Sequence, residues 1–175
     1  MPNLLDLTLD GLKRRLSKSS LNVIQRTQGY TLNTSCSFSK PASIREIDDF
    51  QKETGLILPN SLKLFLSIHN GAELFKDEEE KVEPSWYVLG LDEIEDYLER
   101  YPAPSHIYVI AKYDQTLICV NANRVKEGRE DYLLDRSVYD SAEYEGEPIN
   151  LNFEIWFDRL ITAQGAFFWS WNHNS

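Results

Sequence analysis

Residues 41–71 constrain the fold more than any other stretch of this chain. Ser43-x-x-Glu46, just after Pro41, is a capping box: each side chain satisfies a backbone N–H that the start of a helix leaves open. Ile44, Ile47 and Phe50 then recur on one face, and Gly55 supplies a left-handed stop. Leu56-Ile57-Leu58 leads into Pro59, a residue suited to the first turn of a helix. Leu62, Leu64, Phe65, Leu66 and Ile68 leave that second helix little polar face, so the rest of the chain must enclose it. Its end is expected at His69-Asn70-Gly71, with Gly71 as a left-handed cap. Asn-Gly is also a hairpin signal, but here it follows a helical period.

The flanking segments supply the enclosure. Leu5, Leu9, Leu12 and Leu16 mark a helix over about 4–18. Its acids lie near its start and Lys13, Arg14, Arg15 and Lys18 near its end, which suits the helix dipole. A helix docked on the domain is favoured over one lying on a membrane surface. Residues 21–25 and 30–38 read as extended, with a turn at Gly29. Trp86 to Leu89 reads as a strand, and Ile94, Tyr97, Leu98 and Tyr101 as a helix stopped before Pro102. His106–Ala111 and Thr116–Val120 read as paired strands, with weaker ones at Tyr132–Leu134 and Val138-Tyr139. Phe153, Trp156, Phe157, Leu160 and Ile161 form a closing helix before Gly165. Helices, then closely spaced strands, then a helix predict an α+β fold: a single domain with an antiparallel sheet flanked by helices. Residues 1–37 are expected to pack on a core domain of 38–165. Residues 166–175 form an aromatic tail that either folds back over the sheet, the favoured reading, or anchors a partner.

Charge limits the partners. The chain of 175 residues carries a net charge of -10. Residues 1–40 sum to +4, residues 41–126 to -7 and residues 127–158 to -8. A direct nucleic-acid binder normally shows a basic footprint, so none is expected here. An acidic face for a basic partner and a plain solvated surface both fit the surplus. No 18-residue apolar run spans a membrane, and Met1-Pro2-Asn3 does not open a secretory signal. With two distant cysteines, Cys36 and Cys119, a reducing cytoplasm is the expected setting.

No catalytic constellation is apparent. His69, His106 and His173 lack zinc-site spacing, and the two cysteines do not complete one. Ser43 is committed as a cap, and nucleophile-elbow, phosphate-loop and dinucleotide motifs are absent. Neither an enzyme nor a cofactor is expected.

The run from Pro41 through Leu58-Pro59 and the Phe65 helix to His69-Asn70-Gly71 resembles the SMI/KNR family of the SUKH superfamily. Ile107–Ala111, Leu117–Val120 and Phe153–Phe157 resemble its later strands and closing helix, so the likeness covers roughly 38–163. The sequence departs from that pattern at Leu62, where an aromatic is common, and in the glycine-free turn Tyr113-Asp114-Gln115. The resemblance implies a non-enzymatic binding module. In its bacterial branch that is an immunity protein neutralising a cognate secreted toxin of the polymorphic or LXG type, often a nuclease. The alternative it implies is a regulatory scaffold for a host protein.

A nuclease presents basic groups to phosphates, so an acidic inhibitor can occupy that site and be steered to it. The candidate partner-binding residues are the run Asp77, Glu78, Glu79, Glu80 and the later acids Asp131, Asp135, Asp140, Glu143, Glu145 and Glu147. Tyr132, Tyr139 and Tyr144, interleaved with the later acids, are candidate aromatic anchors.

Overall fold

A computed structural model describes residues 1–19, 22–26 and 28–173. Leu21, expected to open an extended stretch, and residues 174–175 of the tail lie outside the described residues. Among the described residues the chain forms one antiparallel sheet whose eight strands follow in sequence order. They are β1 (Asn22–Gln25), β2 (Thr31–Phe38), β3 (Ala72–Asp77), β4 (Trp86–Val88), β5 (Ile107–Tyr113), β6 (Thr116–Asn121), β7 (Leu133–Ser137) and β8 (Glu147–Pro148). The helices are α1 (Leu4–Lys18), α2 (Ile44–Thr54), α3 (Asn60–Ile68), α4 (Leu91–Arg100), α5 (Ala122–Lys126) and α6 (Phe153–Thr162). This is the expected α+β architecture, and β1 and β2 belong to the same sheet as the rest.

The sheet's centre carries the core. Ile107–Ala111 of β5 and Leu117–Asn121 of β6 are buried without alternation, as strands covered on both faces must be. α6 lies at the middle of the helical layer, with Phe153, Trp156, Phe157 and Leu160 fully buried. The Phe65 ring of α3 sits 5.6 Å from Phe153 and 5.4 Å from Phe157. α1 docks on the other flank of α6. There Thr8 Oγ1 donates to Asp158 at 2.6 Å, and Leu5 N–H to Glu154 at 3.2 Å.

The capping box forms as expected, with Ser43 and Glu46 bonded reciprocally, and α2 ends at a left-handed Gly55. Three local expectations change. Pro59 is the residue before α3 and not its first turn. Val138-Tyr139 lies in the turn after β7, because Ser137 and Asp140 close that turn through Ser137 N–H to Asp140 Oδ2 at 2.7 Å. Gly71 does not cap α3: His69 ends the helix with extended backbone, and the chain turns straight into β3. Asn70-Gly71 instead seats the start of α4. Asn70 Oδ1 accepts Leu91 N–H at 2.9 Å, and a Cβ on Gly90 would lie 2.5 Å from the Asn70 carbonyl oxygen. β3, α5 and β8 were not anticipated from the sequence.

The tail folds back, as favoured. The 3-10 helix Phe168–His173 follows α6 across the open end of the aromatic core. The Trp86 indole Nε1–H donates to the Gly165 carbonyl at 2.9 Å, and the Phe167 ring stacks on Trp169 with centroids 5.1 Å apart. Trp171 remains 59% exposed.

Candidate functional site

The candidate acids separate into groups with different work to do. The Asp77–Glu80 run is largely consumed in building the β3–β4 connection. Asp77 accepts the backbone N–H of Glu79 at 2.8 Å and of Glu83 at 3.2 Å. Glu79 accepts Asn33 N–H at 2.8 Å and pairs with Lys81 at 3.1 Å, and Glu78 accepts from the Ser35 hydroxyl. These bonds hold the Asp77 and Glu79 carboxyls below their ordinary range. Glu80 is exposed and makes none of these bonds. The run also lies far from the later acids. β3 and β7 are four strand spacings apart, about 19 Å.

Asp131 is neutralised within the chain. Arg129 grips it through two nitrogens at 2.9 and 2.6 Å, and Arg124 approaches to 3.8 Å. The Arg129 hydrogen bonds hold its carboxyl at about 2. Tyr132 is a correction to the sequence reading: it is 3% exposed and cannot anchor a partner. Its hydroxyl accepts Phe153 N–H at 2.9 Å, closing the start of α6 over β7. Its neighbours Leu133 and Leu134 are buried too, so the chain enters β7 already inside the core.

The remaining candidates gather at the β7–β8 corner. Asp135, Asp140, Tyr144 and Glu147 line one cavity of about 660 Å³ together with Arg136, and Pro148 and Trp169 wall its apolar side. The Trp169 indole Nε1–H donates to Asp135 Oδ2 at 2.7 Å. Among the described residues, no Lys, Arg or His lies within ion-pair distance of Asp135, Asp140 or Glu147. Burial pushes the Asp135 carboxyl up, and the charges of Asp140 and Glu147 push it further. The Tyr144 phenol, bonded to Glu147, is pushed up to about 12 by that bond, by burial and by the same acids. Three negative groups therefore repel one another across an open cavity, and an incoming cation would relieve that repulsion.

The rim completes the corner. Tyr139 is 77% exposed and Glu143 is exposed beside it. Glu145 meets His106 Nε2 at 2.6 Å, which ties the loop 138–146 to β5. Trp169, Pro148 and His106 were missed as members of this site. The tail's aromatic density was a signal for Trp169, but nothing in the sequence linked it to Asp135, 34 residues away. Among the described residues, no group of three or more His, Cys, Asp or Glu is placed to hold a metal ion, and no helix is long and apolar enough to cross a membrane.

The meander, the paired helices α2 and α3 and the closing α6 define a non-repetitive α+β domain of one recognisable class. Residues 41–159 match the SMI1 / KNR4 family (SUKH-1), and the chain belongs to that family. It is similar to the uncharacterized protein YobM of Bacillus subtilis (strain 168), at 27% identity over 99% of this chain and 95% of the relative. It is also similar to the uncharacterized protein YnaB of the same organism, at 34% identity over 78% of this chain and 88% of the relative. The family match spans α2 to α6 and includes the acids of the β7–β8 corner. Trp169 lies beyond it, within the segment shared with YobM.

Proposed function

We propose that this protein is an immunity protein that binds a cognate secreted toxin of the polymorphic or LXG type and occludes its active site. The toxin's inhibited part is a nuclease domain, whose phosphate-binding groups are basic. The observation that carries this reading is the β7–β8 cavity, where among the described residues no Lys, Arg or His pairs with Asp135, Asp140 or Glu147, and the lining Arg136 donates to backbone carbonyls instead. An Arg or Lys from the toxin enters between these carboxylates and the rings of Trp169 and Tyr144, which offer cation–π contact on the apolar side. Exposed Tyr139 extends the contact at the rim. Inhibition follows from occupancy, with no turnover and no cofactor, in the cytoplasm of the producing cell. Membership of the SUKH-1 family supports a protein-binding role.

The test is co-expression with the C-terminal domain of the toxin encoded beside this gene. The expected result is restored growth and a complex that survives gel filtration. Loss of both in an Asp135→Lys, Asp140→Lys double variant that still folds supports the surface. Undiminished rescue by that variant removes the cavity from the mechanism. Absence of rescue by the unmodified chain removes the immunity role.

A further inference from the structure

Arg136 lines the same cavity as the acids of the corner and has an unusual environment for a cation. It is 3% exposed, yet among the described residues no carboxylate comes within ion-pair distance of it. Its Nη2 donates to the Ser141 carbonyl at 2.9 Å and to the Pro102 carbonyl at 3.3 Å. Its Nε and Nη1 are buried and have no hydrogen-bond partner among the described residues. A desolvated guanidinium is costly, and such a group is held only where other contacts over-determine it.

What Arg136 holds is the loop that carries the acids. Leu117 and Arg136 pair across β6 and β7, and the Arg136 side chain is buried. The loop 138–146 passes over that stem. Gly146, at φ +118°, approaches so closely that a Cβ there would sit 2.7 Å from Arg136 Cγ. Only glycine lets the backbone pass at that distance in that conformation. The loop is thus fastened at Ser141 by the guanidinium, at Gly146 by contact with the stem, and at Glu145 by His106. Asp140, Glu143, Glu145 and Glu147 would otherwise repel one another and extend the segment. A positive charge beneath them offsets that repulsion without neutralising any one acid by pairing.

We infer that Arg136 is the positioning residue of the partner surface: it holds the acidic loop 138–147 in one preformed shape. The toxin then docks on a fixed array of acids and does not have to order a loop as it binds. The inference rests on the proposed binding role only for its purpose. The loop's order is a property of the free chain.

The test reads amide hydrogen exchange in the free, full-length protein. Arg136→Met keeps a stem of similar length and removes the charge and the donors. Arg136→Lys keeps a charge and one donor group. Gly146→Ala forces the loop away from the Arg136 stem and the Asp135 carbonyl, which its Cβ would meet at 2.7 and 2.9 Å. The expected result is faster exchange across 138–147 in Arg136→Met and Gly146→Ala, by about 10-fold or more, with β5 and β6 protection unchanged. Partial restoration by Arg136→Lys relative to Arg136→Met is expected, because charge and donation carry the effect. Protection that is equal in all three variants and the unmodified chain overturns the inference. So does better protection in Arg136→Met than in Arg136→Lys, which would make the stem's packing the only role. If Arg136→Met fails to fold, Arg136→Lys decides against the unmodified chain: faster exchange across 138–147 is expected, and unchanged exchange overturns the inference. Because no toxin is present, failure here is separate from failure of growth rescue.

Discussion

Trp169, beyond the family match, is hydrogen-bonded to Asp135 within it. The indole N–H donates at 2.7 Å to a partly buried carboxylate that, among the described residues, forms no ion pair. One bond therefore fastens the aromatic tail to β7 and orients the innermost acid of the corner. The arrangement sacrifices some stability, because a neutral group at Asp135 would suit the folded state better than a charged one.

That cost has a sign that can be checked. The folded-state carboxyl of Asp135 lies above its ordinary value, so protonation favours folding. The favourable contribution is complete below the unfolded carboxyl value of about 3.9 and is lost as pH rises through the raised folded value. Asp135→Asn keeps an oxygen acceptor for Trp169 and removes the charge. Thermal melts are expected to show the variant at or above the unmodified chain at pH 7, with the difference shrinking towards pH 3.5. A variant less stable at pH 7 than at pH 4, relative to the unmodified chain, contradicts this account.

The Asn70-Gly71 step predicts a second effect. Gly90 passes the Asn70 carbonyl so closely that Gly90→Ala places a Cβ 2.5 Å from backbone oxygen, and one of the two segments must shift. Overpacking of this kind costs about 1–3 kcal/mol. In a chain of this length that lowers the melting temperature by about 3–10 °C. Asn70→Ala leaves Leu91 N–H without its acceptor and is expected to cost about 1–3 kcal/mol. Calorimetry on each variant checks both figures.

These two residues also show what the sequence could and could not disclose. The α2–α3 pair was legible because a capping box, a Gly stop and an apolar run are local signals read over a few residues. The function of Asn70-Gly71 was not, because it depends on Gly90, which approaches from a distant point in the chain. Tyr132 failed for a similar reason: an aromatic among acids looks like a surface anchor until β7 carries it under α6. The short strand β8 has two residues and includes Pro148, so it offers no period to detect. Of the candidate acids, composition found the segment, while only the meander decided which of them face one cavity.

The cysteines give a third test. Cys119 is fully buried in β6, and burial pushes its thiol up to about 12. Cys36 is half-buried, with its thiol raised by the same cause. A thiol-reactive probe at pH 8 is expected to label Cys36 slowly and Cys119 only as the fold opens. Labelling of Cys119 followed against urea should track the loss of helical circular dichroism. Rapid native labelling of Cys119 would show that β6 is not the sealed centre of the sheet.

The last prediction separates a local acidic site from a merely acidic protein. Asp140→Lys with Glu147→Lys reverses two charges at the cavity. Asp48→Lys with Glu95→Lys makes the same change in net charge on exposed positions of α2 and α4. If steering is local, the first pair slows association with the toxin domain by about 10-fold or more at low salt, while the second slows it by about 2-fold at most. Raising the salt should then narrow the gap between the first pair and the unmodified chain, because screening removes the steering field that the reversal destroys. Dissociation should also accelerate in the first pair, since the inserted cation loses its carboxylates. Equal slowing by both pairs would assign the effect to net charge. The β7–β8 corner would then be only one part of an acidic surface, with no privileged place in recognition.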